Sequence, residues 1–370
     1  MTTRTAGSRP TRACQCAIWP MRSRTRHFAR PAPSCAARSL NRWEKGAPMS
    51  ARIDSELAAL YADFPRLDLT DMPSVRAFEG KIAVGSRPST EGGISEQAID
   101  LEVAGRAVPA VLFRHDEGSA HALLVHVHGG GFVLGSATDP HTRAWCARTA
   151  RETGAAVLAV DYRLAPEHPY PAGHDDCHAA TIWSSGHREE LGVMADAPII
   201  LHGQSAGGAI AAGVALRLRD DGHDVLAGLI LDCPVVDDRL ESASMQRSAG
   251  GPVWTIEEAT VSWRHYLARN EGPVPSYAAP GRATAFAGLP PTLITINLVD
   301  ALRDEALELA RRMALDEVDV DLRMYAGSLH GSALVGMDVA AGAAINRDQY
   351  LAIAAAVKAH KQIREREEQR

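Results

Sequence analysis

The sequence has no hydrophobic run long enough to cross a membrane. None of its apolar stretches approaches the ~18 residues that a spanning helix requires, so we do not expect an integral membrane protein. It also lacks the basic segment, apolar core and small-residue cleavage site of a secretory signal peptide. With 46% hydrophobic and 23% charged residues, the 370-residue chain instead has the composition of a globular enzyme with a sizeable core.

Cysteine spacing typical of a zinc site is also absent. The six cysteines are Cys14, Cys16, Cys35, Cys146, Cys177 and Cys233. The first three fall in a basic leader and the last three are far apart, so no set of ligands can be read from the sequence. We therefore predict no metal and no cofactor, and free thiols in a reducing cytoplasm.

Acidic residues are almost missing from the first 48 positions. Residues 1–48 hold ten Lys and Arg but one acid, Glu44, whereas the rest of the chain carries a net charge of −15. We interpret 1–48 as a disordered extension, with an organelle transit peptide as the alternative, and 49–370 as the folded domain. An acidic body lacks the basic face that phosphate binding needs, so nucleic acid is not an expected partner.

Strand-like and helix-like segments alternate through most of the folded part. A hairpin-like pair near 99–113 opens the series. The predicted strands that follow are 123–127, 155–161, 198–202, 226–233, 292–299 and 319–325, and the predicted helices are 141–153, 173–187, 206–220, 303–315 and 340–363. Such alternation predicts an α/β fold, with a mainly parallel sheet and helices on both faces.

A G-x-S-x-G motif stands at one of these strand-to-helix reversals. Ser205 lies between Gly203 and Gly207, after an apolar strand and before an apolar helix. In that context the motif is typical of a nucleophilic serine on a strained bend that points its Oγ out of the sheet. The alternative is a turn of small residues with an incidental serine.

Three consecutive glycines follow an earlier strand. His128 is followed by Gly129, Gly130 and Gly131, which would let backbone N–H groups approach a ligand closely. This is typical of an oxyanion hole, where preorganised donors meet developing negative charge. A dinucleotide-binding G-x-G-x-x-G loop fails because Leu134 stands at the last glycine position. A plain glycine-rich turn remains an alternative.

A nucleophilic serine needs a base and an orienting acid, and in this architecture they follow it in the order acid, then histidine. Of the four later histidines, His330 directly follows a predicted strand, at the end where ligand sites of such sheets gather. Asp300 ends the preceding strand and is the predicted acid. Asp304 and Glu305 fit better as first-turn acids of the next helix.

Five motifs in order resemble the hormone-sensitive-lipase-like (bacterial family IV) esterases of the α/β-hydrolase fold. They are H-G-G-G-F at 128–132, D-Y-R-L-A-P-E-H-P at 161–169, G-Q-S-A-G-G at 203–208, D-A-L-R-D-E at 300–305 and L-H-G at 329–331. The resemblance extends from about Ser50 to the terminal helix.

Several expectations follow from this resemblance. It implies Ser205 as nucleophile, Asp300 as acid and His330 as base. The implied oxyanion hole uses the N–H groups of Gly130, Gly131 and Ala206. A helical cap is implied over about 50–90 and 237–275, and a homodimer is common in such enzymes.

The sequence also departs from the family at three places. Gln204 stands where an acid is common, Ala301 where proline is frequent, and Ser332 where phenylalanine is frequent. None of these departures removes a catalytic atom.

The function predicted from these residues is hydrolysis of short-chain acyl esters, with a small-molecule ester as substrate. Cleavage of an N-acetyl amide or a lactone by the same groups is the alternative. A non-catalytic ligand-binding protein is a third hypothesis, because a plant hormone receptor that resembles this family has lost the histidine. His330 is present here, which favours an enzyme.

Overall fold

An eight-stranded sheet runs through the folded part of the chain. The computed structural model describes residues 53–62, 67–85, 92–103 and 105–369, so the predicted extension over 1–48 lies outside the described residues. The strands are β1 Ile94–Val103, β2 Arg106–His115, β3 Leu123–Val127, β4 Ala156–Val160, β5 Ile199–Gln204, β6 Leu226–Asp232, β7 Thr292–Val299 and β8 Val320–Leu329.

Helices precede, separate and follow these strands. In the described ranges they are α1 Ser55–Tyr61, α2 Met72–Gly85, α3 Pro140–Thr153, α4 Ala172–Gly186, α5 Ala206–Asp220, α6 Ala243–Gln246, α7 Ile256–Tyr266, α8 Arg303–Leu315, α9 Ser332–Val335 and α10 Ala340–Glu368. A short 3₁₀ helix spans Pro280–Arg282. No helix in these ranges is both long and apolar enough to span a bilayer.

The sheet has the order β1-β2-β4-β3-β5-β6-β7-β8. Only the β1–β2 and β2–β4 pairs are antiparallel, and β1–β2 is the hairpin expected near 99–113. Every residue of β3, β4 and β5 is buried, because helices cover both faces of these central parallel strands. The predicted α/β fold is therefore confirmed.

Parallel strands bring the ends of distant segments to one edge of the sheet. Ser205 follows β5, Asp300 follows β7, and His330 follows β8. Since these three strands run in the same direction, the three residues all emerge at the carboxyl edge. The strand order thus positions the candidate site.

Two groups of helices lie outside the alternating series. One precedes the sheet (α1 and α2), and the other follows β6 (α6 and α7). They approach each other where His265 Nε2 lies 3.0 Å from the carbonyl oxygen of Leu69. Trp254 and Val261, from the later group, pack beside the buried cluster of Leu69, Met72 and Val75.

Candidate active site

Ser205 occupies a strained bend between β5 and α5. Its backbone has φ +54° and ψ −119°, a region that residues other than glycine rarely adopt. The bend brings the chain so close to β3 that a Cβ at Gly207 would collide with the carbonyl oxygens of Val127 and His128. Strain of this kind costs about 1–3 kcal/mol and persists only where the surroundings impose it.

The bend brings Ser205 into a continuous chain of hydrogen bonds with the two other predicted residues. Ser205 Oγ lies 2.8 Å from His330 Nε2, and His330 Nδ1 lies 2.8 Å from Asp300 Oδ2. The second carboxylate oxygen of Asp300 accepts the N–H of Leu302 at 3.0 Å. All three side chains are buried, so water competes little for these bonds. This arrangement can deprotonate a serine hydroxyl as it attacks a carbonyl carbon.

The electrostatic setting of His330 suits a base. Burial alone lowers the pKa of its imidazole, but the charge and hydrogen bond of Asp300 outweigh burial and raise the pKa above its ordinary value of 6.5. A second buried carboxylate, Asp232, adds to the increase. The imidazole can therefore accept a proton, although burial alone would disfavour its positive charge.

The glycine-rich loop after β3 lies beside Ser205. Gly130 has φ +116°, and a Cβ there would collide with the carbonyl oxygen of Leu134. His128 supports the loop: its Nδ1 lies 2.7 Å from the Gly129 carbonyl oxygen, and its own carbonyl accepts the Tyr162 hydroxyl at 3.0 Å. Burial lowers the pKa of His128, which favours the neutral ring.

The donors of the predicted oxyanion hole border the nucleophile. Gly130 and Gly131 line the same cavity as Ser205. Ala206 is the first residue of α5, where an amide has no acceptor within its own helix. The N-terminal end of α5 also carries a partial positive charge that favours a developing anion.

A cavity of about 590 Å³ opens onto these residues. Ser205, Gln204 and His330 form its floor, and apolar side chains from the two outlying helix groups and from α9 form much of its wall. Among them are Leu60, Leu69, Phe78, Trp254 and Leu334. A cavity of this size and polarity is suited to a small, largely apolar ligand.

Two features of the site were not predicted from the sequence. The Tyr61 hydroxyl, from α1, donates to the backbone carbonyl of His330 at 2.7 Å. Gln204, Asp232 and Thr295 stand side by side on β5, β6 and β7 as register partners, and we call them the polar row. No local motif marks Tyr61, Asp232 or Thr295, since their roles in the site arise from contacts between distant segments.

One cluster in the described ranges has side chains of the kinds that bind metals. Potential ligand atoms of Cys233, Asp300 and His330 all lie within 4.8 Å of one another. However, Asp300 and His330 already bond to each other, and burial raises the pKa of the Cys233 thiol well above its ordinary value. A protonated thiol is a poor ligand, so the cluster does not fit a resident metal. The predicted absence of a metal centre stays a prediction.

Comparison with known proteins identifies the family to which the chain belongs. A family model for the alpha/beta hydrolase fold matches residues 124–334, which contain the glycine loop, Ser205, Asp300 and His330. The match covers more than half of the chain, and the chain therefore belongs to this family of α/β hydrolases.

Individual relatives indicate which kind of hydrolase the chain is. Carboxylic ester hydrolase LipN of Mycobacterium tuberculosis is 34% identical over 273 residues, covering 70% of this chain and 70% of LipN. Esterase LipI of the same organism is 36% identical over 261 residues, covering 68% of this chain and 80% of LipI. The solved structure of a bacterial heroin esterase matches with a TM-score of 0.74 at 36% identity, covering 83% of this chain and 98% of its own. The resemblance to hormone-sensitive-lipase-like esterases is confirmed, and the protein is a carboxylic ester hydrolase.

Proposed function

We propose that the protein is a serine esterase for short-chain acyl esters in which Ser205 is the nucleophile, His330 the general base and Asp300 the orienting acid. The observation that carries the proposal is the continuous chain Ser205–His330–Asp300, with 2.8 Å at each link, beginning at a strained serine that faces a cavity. The oxyanion hole consists of the N–H groups of Gly130, Gly131 and Ala206.

The acylation half of the reaction follows from this geometry. Ser205 Oγ attacks the ester carbonyl carbon while its proton passes to His330 Nε2, and the negative charge moves to the carbonyl oxygen. The three N–H groups stabilise that oxyanion, and each such donor is typically worth about 10²–10³ in rate. Asp300 holds the imidazole in orientation and stabilises its positive charge. When the tetrahedral intermediate collapses, His330 returns the proton to the departing alcohol and the acyl group stays on Ser205.

Deacylation repeats these steps with water. His330, neutral again, removes a proton from a water molecule that attacks the acyl-enzyme carbonyl, and the same N–H groups hold the second oxyanion. Collapse releases the carboxylic acid, and the proton on His330 returns to Ser205. No group beyond the chain's own residues and water is required.

The cavity and the relatives support esters as the substrate class. The largely apolar wall accommodates a short acyl chain and an uncharged alcohol. The same residues would cleave an N-acetyl amide or a lactone, but the relatives named above are esterases. A purely ligand-binding role is not favoured, because His330 and its acid are both present and bonded.

We also propose a cap, a cytoplasmic location and a homodimer. The segments at about 50–90 and 237–275 act as a cap, and their contacts across Leu69, His265 and Trp254 support this role. The buried free thiols Cys146, Cys177 and Cys233 are compatible with a reducing cytoplasm. Assembly as a homodimer is proposed on the family resemblance.

Hydrolysis of p-nitrophenyl acetate, butyrate and octanoate tests the proposal. We expect activity that declines at the longest chain, and a loss of about 10⁴-fold or more in Ser205→Ala and His330→Ala. Ser119→Ala, at an exposed serine, is the matched control and should keep wild-type rates. A fluorophosphonate should label the wild type but not Ser205→Ala. Folded protein that cleaves none of the three esters, or Ser205→Ala with wild-type activity, would contradict the proposal.

A further inference from the structure

The polar row lies immediately below the nucleophile. Gln204 pairs in register with Asp232, and Asp232 pairs with Thr295, so three polar side chains lie side by side at the carboxyl ends of β5 and β6 and in the middle of β7. The backbone ties the row to the catalytic bend, because the Ser205 N–H donates to the Asp232 carbonyl oxygen at 2.9 Å. A polar group at each of three buried positions costs free energy, which calls for a physical explanation.

Asp232 is the ionisable member of this row. The residue is 2% exposed. Thr295 Oγ1 donates to Oδ1 at 2.6 Å, and Gln204 Nε2 donates to Oδ2 at 3.3 Å. Among the residues that the structure describes, no Lys or Arg forms an ion pair with this carboxylate. Two neutral hydrogen-bond donors, rather than a cation, therefore hold the Asp232 carboxylate.

The titratable groups that interact with Asp232 come from several elements. They are His330 after β8, Asp300 after β7, Cys233 after β6, Tyr61 on α1 and Tyr325 on β8. Of these groups only His330 becomes a cation. Burial raises the pKa of Asp232 above its ordinary value, with a smaller contribution from Asp300, and this outweighs the lowering by Thr295, Gln204 and the positive charge of His330. Asp232 in turn raises the pKa of His330.

We propose that Asp232 is a positioning residue of the esterase reaction, a second buried carboxylate that stabilises the imidazolium form of His330 while Gln204 and Thr295 hold it below the nucleophile. The inference rests on the proposed function, because it assigns a role only if His330 is the base. Asp300 acts through a direct hydrogen bond to the ring. Asp232 acts through its charge, which the dry surroundings leave weakly screened.

This role also gives a reason for glutamine at position 204. The Gln204 amide donates to Asp232, and its Oε1 lies near Gly129, where an added Cβ would be 3.4 Å away. A carboxylate at 204 would instead face Asp232 directly, and one of the two would have to take up a proton. Gln204 thus allows the buried charge to reside on β6 alone.

The test is the pH dependence of kcat/KM in Asp232→Asn, which removes the charge and keeps the shape. With p-nitrophenyl butyrate between pH 5 and 9, the wild-type rate should rise with pH as free His330 loses its proton, with a midpoint above 6.5. In Asp232→Asn we expect this midpoint to move down by about half to one pH unit and kcat to fall about tenfold. Asp224→Asn, at an exposed acid, is the matched control and should change neither.

A charge relocation separates the electrostatic role from a structural one. In the double variant Gln204→Glu/Asp232→Asn the buried carboxylate moves by one strand, and we expect the acidic midpoint to return at least halfway to that of the wild type. If Asp232→Asn is not folded by circular dichroism, Asp232→Ser, which is neutral and smaller, is measured in the same way.

Two results would overturn the inference. One is a folded neutral variant whose acidic midpoint stays at the wild-type pH with kcat within twofold. The other is a double variant whose midpoint stays with that of Asp232→Asn. Failure of the proposed function would look different, because Ser205→Ala would then keep its activity whatever the Asp232 variants do.

Discussion

Two of the buried histidine environments in the fold differ chiefly in their acidic neighbours. His126 and His202 are register partners on β3 and β5, with their Nδ1 atoms 2.9 Å apart, and burial lowers the pKa of His202 to about 3 and that of His126 well below its ordinary value. His330 is also buried, yet its pKa is raised. The difference is the Asp300 carboxylate at 2.8 Å.

Burial alone therefore keeps a histidine neutral and disfavours its taking up a proton. The His126–His202 pair packs against the Trp145 ring, at centroid distances of 4.8 and 4.5 Å, and acts as part of the core. At the carboxyl edge the same residue type is the proposed base, because acids share its surroundings.

Removing the Asp300 carboxylate should make His330 resemble His126 and His202 (the core pair), whose imidazoles are kept neutral by burial. In Asp300→Asn we expect kcat to fall about 10⁴-fold, because the amide neither stabilises the imidazolium nor fixes the tautomer that accepts the Ser205 proton. Asp304→Asn is the control, since that carboxylate accepts the Ser244 N–H at 2.7 Å and lies in the first turn of α8. Steady-state kinetics with p-nitrophenyl butyrate measures both. An equal loss in Asp304→Asn would argue against Asp300 as the acid.

The core pair should instead affect stability towards acid. His202 titrates at about 3 in the folded protein and at about 6.5 when unfolded, so the unfolded chain takes up a proton first as the pH falls through this window. Its stabilising contribution is therefore complete above pH 6.5 and is lost towards pH 3. The free energy of unfolding should drop by up to about 1.4 kcal/mol per pH unit for this histidine.

Urea unfolding at pH 7, 6 and 5 measures that slope. His202→Asn should show a shallower decline than the wild type, whatever its stability at pH 7. His115→Asn, at an exposed histidine, serves as the control and should keep the wild-type slope. Parallel declines in all three proteins would mean that the core pair does not govern acid stability.

The smallest effect on kcat is expected when Asp300 is kept and only the hydrogen bond to the His330 backbone carbonyl is lost. Tyr61→Phe removes the hydroxyl that donates to the His330 carbonyl, and we expect kcat to fall about threefold to tenfold with little change in KM. Tyr325→Phe is the matched control, because its hydroxyl bonds to Asp348 at 2.8 Å. A Tyr61→Phe enzyme with wild-type kcat would show that the ring is held sufficiently by Asp300.

The sequence allowed the main parts of the site to be predicted because each lies at a strand end next to a recognisable local pattern. The β5 bend, the acid after β7 and the histidine after β8 are of this kind. Asp232 was not predicted, since it stands out only once β5 and β6 are in register. Tyr61 was missed for a similar reason: nothing near it in the sequence indicates a contact 269 residues away.

Strand ends were predicted less well than strand identities. β8 was expected to end near 325 but continues to Leu329, and its register with β7 shifts between Asn297 and Val299. That irregularity depends on the neighbouring strand, so propensity within the segment could not reveal it.

The separation of Ser205 and His330 by 125 residues has a consequence for the newly made chain. On the ribosome the proposed nucleophile emerges long before the proposed base, and at ~5–20 residues per second the interval lasts at least several seconds. During that time Ser205 is an ordinary hydroxyl, even if the strands around it have already paired. With the proposed roles, the enzyme is therefore made in an unreactive form and becomes reactive only when β8 has joined the sheet.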